Sequence, residues 1–420
     1  MFYIVMYIKM NNIISKLETY VFWYPFIMSL FWIAGSILFD KNREKQIDID
    51  FDEIDWPMVS ILIPCYNEEE TIEETISYME KIAYTNKEII AVNDGSKDGT
   101  WKLLHKLAKQ YDNLKIIDCK ENCGKANALK LATFASKAEY LVCVDSDAVL
   151  DSYAVHYLIY HFLYKGERLG AVTGNPRIRN RDTLLAKLQI VEYASIIGAI
   201  KRSQRIWGKI MTVSGVVVAY RKKALVDVGL WDHDMITEDI SVTWKLQGRF
   251  WDIRYEPRAL CWMLVPETIS GIWKQRIRWA QGGQEVILRH WKVILDWRHR
   301  RIWPIYYEQW ASLFWSYSWV IVTVYYFITA KTIQELFIWF TFSSFALVFL
   351  SLIQLWASLR IDSKYDNVMP YYLWAAWYPV VYWVLNTTIV MFAMPKAIKS
   401  RKRGGYATWT SPDRGQRKEN

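Results

Sequence analysis

The chain has 420 residues, of which 52% are apolar and 16% aromatic, and its formal net charge is +9. This length and apolar content exclude a peptide, a disulfide mini-protein and a disordered tail. The five cysteines are odd in number and lack paired C-x-x-C spacing, which argues against a disulfide scaffold or a structural zinc site. The 23 tryptophans and the positive charge are typical of a membrane protein with a large soluble part.

An uncharged run at residues 20–39 has about the length that a bilayer core requires. No small-residue cleavage site follows it, so we predict a transmembrane helix that is retained in the mature protein. Later apolar runs predict about three more spans. Before the soluble domain we predict an extension at 1–19, the transmembrane helix at 20–39 and a linker at 40–56. After it we predict transmembrane spans within 304–394, at 310–329, 336–359 and 371–394, and a basic tail at 395–420.

The charges beside the first span favour a cytoplasmic soluble part, because Lys41, Arg43 and Lys45 follow that span directly. Three later spans would leave the basic tail on the opposite side of the membrane. Either one late segment is interfacial or re-entrant, or the tail is an exception to the positive-inside rule. Both alternatives stay open at this point.

Residues 57–266 alternate short segments rich in Ile and Val with helical segments. This alternation predicts an α/β domain with a doubly wound, mostly parallel sheet, inserted between the transmembrane helices. Such a sheet binds ligands at the carboxyl ends of its strands. The predicted strands lie at 58–64, 87–93, 114–119 and 140–145, and the predicted helices at 68–82, 98–110 and 124–134.

Two acidic motifs follow predicted strands. In Asn93-Asp94-Gly95-Ser96 the carboxylate can bind a base or ribose, although an ordinary Asp-Gly turn explains the same residues. In Asp145-Ser146-Asp147 two carboxylates one residue apart can share a divalent cation that neutralises a diphosphate, although such pairs are common on solvated loops. Their order along one α/β domain favours the functional interpretation of both.

A third acidic motif, Thr237-Glu238-Asp239, enters a predicted helix. One interpretation is that Thr237 caps the helix and the two acids favour its positive end. The other is that Asp239 is a general base that takes a proton from an incoming hydroxyl. The spacing alone does not choose between them.

A basic, Trp-bearing stretch at 267–303 predicts amphipathic helices at a membrane surface. Within it, Arg278 can contact a diphosphate and Trp279 can offer a stacking face to a sugar. Lys125 can also reach phosphate, but its surroundings lack the spacing of a P-loop.

Together these motifs resemble those of the processive members of glycosyltransferase family 2, which combine a nucleotide-binding Asp, a D-x-D, a T-E-D and a Q-x-x-R-W. The segments 234–240, 261–268, 273–283 and 404–415 resemble the bacterial poly-β-1,6-N-acetyl-D-glucosamine synthases of that family. The resemblance runs from about residue 23 to residue 415. It implies a GT-A-type, multi-pass enzyme of the cell membrane that lengthens a biofilm exopolysaccharide by inverting transfer from UDP-N-acetylglucosamine, coupled to export. It also suggests a small accessory membrane subunit.

Carried over residue by residue, the resemblance implies a role for each motif. Pro64, Tyr66, Glu68 and Asp94 would hold uracil. Asp145 and Asp147 would face the diphosphate, with Mg²⁺ or Mn²⁺ on Asp147. Asp239 would be the base, with Glu238 beside it in the motif. Gln275, Arg278 and Trp279 would hold the diphosphate and the acceptor sugar.

Several alternatives compete with this interpretation. A chitin or hyaluronan synthase would carry the same motifs and make a different linkage. An enzyme that transfers one sugar to a lipid phosphate would generally lack the segment 275–279. A non-catalytic, nucleotide-sugar-binding export subunit predicts a damaged base or metal motif, whereas Asp145, Asp147 and Asp239 are intact. Nucleic-acid binding is disfavoured, because the basic residues cluster beside the membrane segments.

Overall fold

The computed structural model describes residues 2–44, 49–375, 377–400, 405 and 407. Its centre is an eight-stranded sheet in the order β3-β2-β1-β4-β7-β6-β8-β5. The strands are β1 (Val59–Cys65), β2 (Lys87–Asp94), β3 (Leu114–Cys119), β4 (Tyr140–Val144), β5 (Ala148–Leu150), β6 (Leu169–Ile178), β7 (Val217–Arg221) and β8 (Asp252–Met263). The four predicted strands are confirmed, and so is the α/β class with a mostly parallel sheet.

The first half of the sheet is parallel, and the second half is mixed. β1 pairs with β2 and β4, and β2 with β3, all in parallel. β7 is antiparallel to both β4 and β6, β8 runs parallel to β6, and β5 runs antiparallel to β8. The carboxyl ends of β1, β2 and β4 therefore lie at one edge, where the polar motifs of the first half follow.

Both faces of β1, β2 and β4 are buried, which explains their runs of apolar residues, whereas the edge strand β3 is partly exposed. Along β1, Ile61 and Ile63 pack into one core cluster, whereas Leu62 points to the other face and packs into a second cluster. This alternation is the geometry of a strand with helices on both sides.

Helices cover both faces of the sheet and extend from it. They are α1 (Phe2–Arg43), α2 (Ile72–Lys81), α3 (Thr100–Ala108), α4 (Lys125–Ala135), α5 (Ala154–Tyr164), α6 (Leu184–Glu192), α7 (Ile200–Trp207), α8 (Lys222–Asp227), α9 (Glu238–Gly248), α10 (Ile269–Arg289), α11 (Trp303–Thr329), α12 (Ile333–Asp362) and α13 (Tyr378–Ser400). The three predicted crossover helices correspond to α2, α3 and α4.

A helical segment that the sequence patterns did not predict lies after β6. A π-helix at Tyr193–Ala199 joins α6 to α7, so that residues 184–207 form one continuous helical rod. The rod packs against α1 and α12. π-helical turns are rare and frequently lie at functional sites.

Among the residues that the structure describes, three helices are long and apolar enough to cross a membrane: Asn12–Arg43, Trp303–Thr329 and Val381–Ser400. Because α1 begins at Phe2, the predicted extension at 1–19 continues into the same helix as the span at 20–39. The predicted span at 336–359 lies within α12. The predicted span at 371–394 begins with two short 3₁₀ turns, Met369–Tyr371 and Leu373–Ala375, before α13. Beyond residue 400 the basic tail lies outside the described residues, except 405 and 407.

Candidate active site

A cavity of about 360 Å³ opens beside the carboxyl end of β4, between the sheet, α7, α9 and α10. Many of the residues singled out from the sequence line it, although they come from four separate motifs. They are Lys125, Asp145, Asp147, Glu238, Asp239, Gln275, Arg278 and Trp279. The fold thus brings the D-x-D, the T-E-D and the Q-x-x-R-W motifs to one place.

The D-x-D motif forms the tight connection between β4 and β5. The amide of Ala148 donates to the carbonyl of Asp145 at 3.1 Å, and the Thr75 hydroxyl donates to the carbonyl of Ser146 at 2.8 Å. Burial raises the pKa of the Cys261 thiol well above its usual value, and the charges of Asp145 and Asp147 raise it further. Both carboxylates are therefore close to Cys261, and both residues line the cavity.

This arrangement fits a divalent cation. Carboxylate oxygens are the ligands that Mg²⁺ and Mn²⁺ prefer, and Mg²⁺ is commonly held by one or two carboxylates together with substrate phosphates and water. Within the described part of the chain, no group of three His, Cys, Asp or Glu side chains could hold a metal by itself. A cation on Asp145 and Asp147 would thus complete its coordination with the diphosphate and water.

Lys125 links the metal motif to the base motif. It opens α4 directly after Gly124, whose φ of +87° is available to glycine without strain. Its Nζ lies 2.6 Å from Asp145 Oδ1 and 3.1 Å from Glu238 Oε1. Burial disfavours the charge on Lys125, but the two carboxylates outweigh burial and raise its pKa. The ammonium is therefore a permanent counter-charge between the two motifs.

Asp239 lies in the first turn of α9, and backbone amides hold both of its oxygens. Gly215 N donates to Oδ2 at 3.3 Å, and Ile240 N donates to Oδ1 at 2.9 Å. Burial, and then the charge of Glu238, raise the pKa of Asp239 to about 6. Asp239 is thus mainly a carboxylate at neutral pH, with a pKa suited to accepting a proton.

Thr237 occupies the position before α9, but its side chain does not cap the helix. Its hydroxyl is buried without a hydrogen-bond partner among the residues that the structure describes. The interpretation of Thr237 as a capping residue is therefore wrong, although Glu238 and Asp239 do lie in the first turn. Gly282 of α10 packs against this hydroxyl so closely that a Cβ at 282 would lie 1.9 Å from it.

The helix α10 presents the Q-x-x-R-W residues to the cavity. The guanidinium of Arg276 lies 4.4 Å from the centre of the Trp279 ring and forms an ion pair with Glu192 at 2.9 Å. Gln275 is buried, and in the described part of the chain its amide oxygen has no hydrogen-bond partner. A ligand in the cavity could satisfy that oxygen.

Four predicted residues lie elsewhere, at the ends of β1 and β2, and do not line this cavity. Asp94 is fully buried and accepts hydrogen bonds from Cys123 N at 3.0 Å and Gly124 N at 2.8 Å. Burial raises its pKa, which those two hydrogen bonds partly offset. Glu68 is buried and accepts from the Thr71 hydroxyl at 2.9 Å, Pro64 is buried and Tyr66 is half-buried. Asp94 thus ties the loop before α4 to the end of β2.

The sequence patterns missed the wall formed by the rod at 184–207 and the loop at 211–216. Tyr193, Ile197, Lys201 and Gln204 of the rod line the cavity, as does every residue of the loop. The available signal was a helical spacing that places two polar side chains on an otherwise apolar face.

The comparisons with known proteins agree with this geometry. Residues 57–282 match the family described as glycosyltransferase like family 2. The chain belongs to glycosyltransferase family 2. It is 46% identical to the poly-β-1,6-N-acetyl-D-glucosamine synthases of Staphylococcus epidermidis and Staphylococcus aureus strain COL, over 94% of this chain and 98% of each relative. The resemblance derived from the motifs is thereby confirmed.

A solved structure has the same fold as this protein over nearly the whole chain. A mannosyltransferase from Pyrobaculum calidifontis, in complex with GDP-Man and Mn²⁺, superposes with a TM-score of 0.66 at 17% identity. The match covers 93% of this chain and 100% of that one. It confirms the GT-A-like fold.

Proposed function

We propose that this chain is a processive, inverting N-acetylglucosaminyltransferase that adds N-acetylglucosamine from UDP-N-acetylglucosamine to a growing β-1,6-linked poly-N-acetylglucosamine chain of a biofilm matrix. One observation carries the proposal. A single cavity contains the D-x-D carboxylates, the buried Asp239, and Arg278 and Trp279. The names of the 46% identical relatives supply the sugar and the linkage.

In the proposed reaction Asp239 removes the proton from the acceptor 6-hydroxyl. The oxygen attacks the anomeric carbon on the face opposite the diphosphate, a new C1–O6 bond forms, and the bond to UDP breaks. The configuration inverts in one displacement, so no covalent enzyme intermediate is required. Glu238 contributes by raising the pKa of Asp239 and by anchoring Lys125 beside it.

The donor would lie between the strand-end loops and the D-x-D motif. Pro64, Tyr66, Glu68 and Asp94 would form the uracil side. Asp145 and Asp147 would hold Mg²⁺ or Mn²⁺, which when bound supplies positive charge to the departing diphosphate. Lys125, Gln275 and Arg278 would bind the phosphates from the protein side, and Trp279 would stack on the acceptor sugar.

A second cavity supports export of the product through the same chain. It measures about 180 Å³, lies among the long apolar helices and shares Trp32, Ile196, Ile200 and Glu308 with the first cavity. Its wall carries aromatic and polar side chains that suit a sugar polymer: Tyr24, Trp315, Gln354, Tyr382, Trp383 and Asn386. The catalytic domain would face the cytoplasm, and a small accessory membrane subunit would complete the enzyme.

The deciding experiment uses membranes containing this chain, alone and with its accessory subunit, supplied with radiolabelled UDP-N-acetylglucosamine and Mg²⁺ or Mn²⁺. We expect polymer that a β-1,6-N-acetylglucosaminidase digests and chitinase does not. Polymer that yields to chitinase instead would identify a chitin synthase. Polymer that requires UDP-glucuronic acid as a second donor would identify a hyaluronan synthase, and a preparation that binds UDP but makes no polymer would contradict the proposal.

A further inference from the structure

Lys201 lies on α7 and belongs to none of the recognised motifs. Its side chain lines the cavity that contains Asp239, yet the residue is only 4% exposed. A lysine so deeply buried is uncommon unless a partner compensates its polar head.

Within the described part of the protein, Lys201 makes fewer hydrogen bonds than its amine can donate. Its Nζ donates to the Ser214 hydroxyl at 2.5 Å, and the ring of Tyr255 lies 5.9 Å away. No carboxylate in the described part of the chain forms an ion pair with it, and burial lowers its pKa to about 7 against the opposing charge of Asp239. A lysine head carries two or three N–H donors, so at least one remains for a ligand. A buried donor left unsatisfied is costly.

The loop at 211–216 connects this amine to the base. The backbone amide of Ser214 donates a hydrogen bond to the Thr173 hydroxyl at 2.8 Å, which fixes the position of Ser214. The next residue, Gly215, donates its amide to Asp239 Oδ2. Two consecutive residues thus contact Lys201 on one side and Asp239 on the other, which places the amine on the acceptor side of the cavity.

We propose that Lys201 binds the acceptor sugar, donating a hydrogen bond to the carbonyl oxygen of its acetamido group. This rests on the proposed function, in which every acceptor sugar carries that group. The carbonyl oxygen of an acetamido group only accepts hydrogen bonds, so it can satisfy the spare N–H. Lys201 would then select an N-acetylated chain end over a de-N-acetylated one.

The test compares Lys201→Met with Lys209→Met in the full-length membrane enzyme. Lys209 is a suitable control, because it is also largely buried but pairs with Asp252 at 3.2 Å and does not line the cavity. The acceptors are a short β-1,6-linked N-acetylglucosamine oligosaccharide and its de-N-acetylated counterpart, and the initial rate of radiolabel transfer is measured. The affinity for UDP is measured as well, because it shows whether each variant is folded and whether its donor side is intact.

We expect Lys201→Met to raise the KM for the N-acetylated acceptor about tenfold, the size of one lost hydrogen bond to a buried donor. The KM for the de-N-acetylated acceptor and the affinity for UDP should stay unchanged, as should both acceptor constants in Lys209→Met. Lys201→Gln, which keeps an N–H donor, should restore part of the preference.

An unchanged preference between the two acceptors in Lys201→Met would overturn the role of Lys201. If that variant loses UDP binding, Ser214→Ala takes its place, because it removes the hydroxyl that orients the amine. A preference unchanged in Ser214→Ala would overturn the proposal equally. Failure of the wild-type enzyme to transfer N-acetylglucosamine at all would instead refute the proposed function.

Discussion

The proposed donor side and the proposed acceptor side of the site are built in different ways. The donor side comes from the ends of β1, β2 and β4, whose loops follow one another between residues 64 and 147. The acceptor side combines the rod at 184–207, the loop at 211–216, α9 and α10, together with Trp32 of α1 and Glu308 of α11. One side is thus made by neighbouring strands of one sheet, and the other by elements far apart in the chain.

This difference determines how far the sequence alone can locate the residues of each side. On the donor side, a polar residue after an apolar strand already indicates its own position, because parallel strands end at the same edge. On the acceptor side, the position of a residue depends on how the membrane-associated helices pack on the sheet. Mutations on the two sides should therefore change different kinetic constants.

The largest expected effect is that of Asp239→Asn. Removal of the base should reduce polymer synthesis by about a thousandfold, as measured by sugar incorporation in membranes. UDP affinity should change little, because Asn has nearly the same size as Asp and its amide oxygen can still accept one of the two hydrogen bonds from Gly215 and Ile240. Asp232→Asn is the control, since Asp232 pairs with Lys245 outside the cavity. Synthesis at the wild-type rate in Asp239→Asn would exclude Asp239 as the base.

On the donor side, Asp147→Ala should weaken divalent-dependent UDP binding by about a hundredfold, because one of two cation ligands is lost. Calorimetric titration of UDP with Mn²⁺ and with EDTA measures this without relying on turnover. Asp151→Asn, four residues further on and absent from the cavity wall, should bind UDP as the wild type does. Metal dependence that persists in Asp147→Ala would contradict the assignment.

The junction between α10 and the T-E-D segment can be tested with adjacent glycines. A Cβ at Gly282 would overlap Thr237, whereas a Cβ at Gly283 would lie 3.6 Å from the end of Met211. Overpacking of this kind costs about 1–3 kcal/mol of folding stability, and Thr237 must shift to relieve it. The shift would displace the neighbouring Asp239, so Gly282→Ala should lower the rate about tenfold to a hundredfold. Gly283→Ala should stay near wild type, and equal effects of the two changes would contradict the close packing.

The pH profile tests the surroundings of Asp239. Its raised pKa of about 6 means that the basic form is present above that pH and is lost as the pH falls through it. The value of kcat/KM should therefore fall about tenfold for each pH unit below 6. Because Glu238 raises this pKa, Glu238→Gln should move the midpoint to lower pH. An unmoved midpoint would show that another group controls the profile.

The smallest effect is expected for Asp94→Asn. The amide would place an N–H group against one of the two backbone donors at 123 and 124, and so loosen the loop before α4. The KM for UDP-N-acetylglucosamine should rise about threefold to tenfold, while the acceptor KM stays constant. A change confined to the KM for the acceptor would contradict the assignment of Asp94 to the donor side.

Much of this protein could be predicted from its sequence. The parallel strands β1, β2 and β4 were evident, because they are buried on both faces and therefore carry several consecutive apolar residues. The acidic motifs were evident, because they directly follow strands or open a helix. The long apolar helices follow from the length that a bilayer requires. In all these cases the determining interaction is local or depends on a repeating pattern.

The tertiary structure alone decided how these parts meet. It placed Lys125 between Asp145 and Glu238, turned the Thr237 hydroxyl toward Gly282, and buried Asp94 against the loop before α4. It also brought Lys201 beside the loop that contacts Asp239. The physical reason is that each contact joins residues distant in sequence, and its geometry depends on the packing of whole elements, which no local pattern encodes.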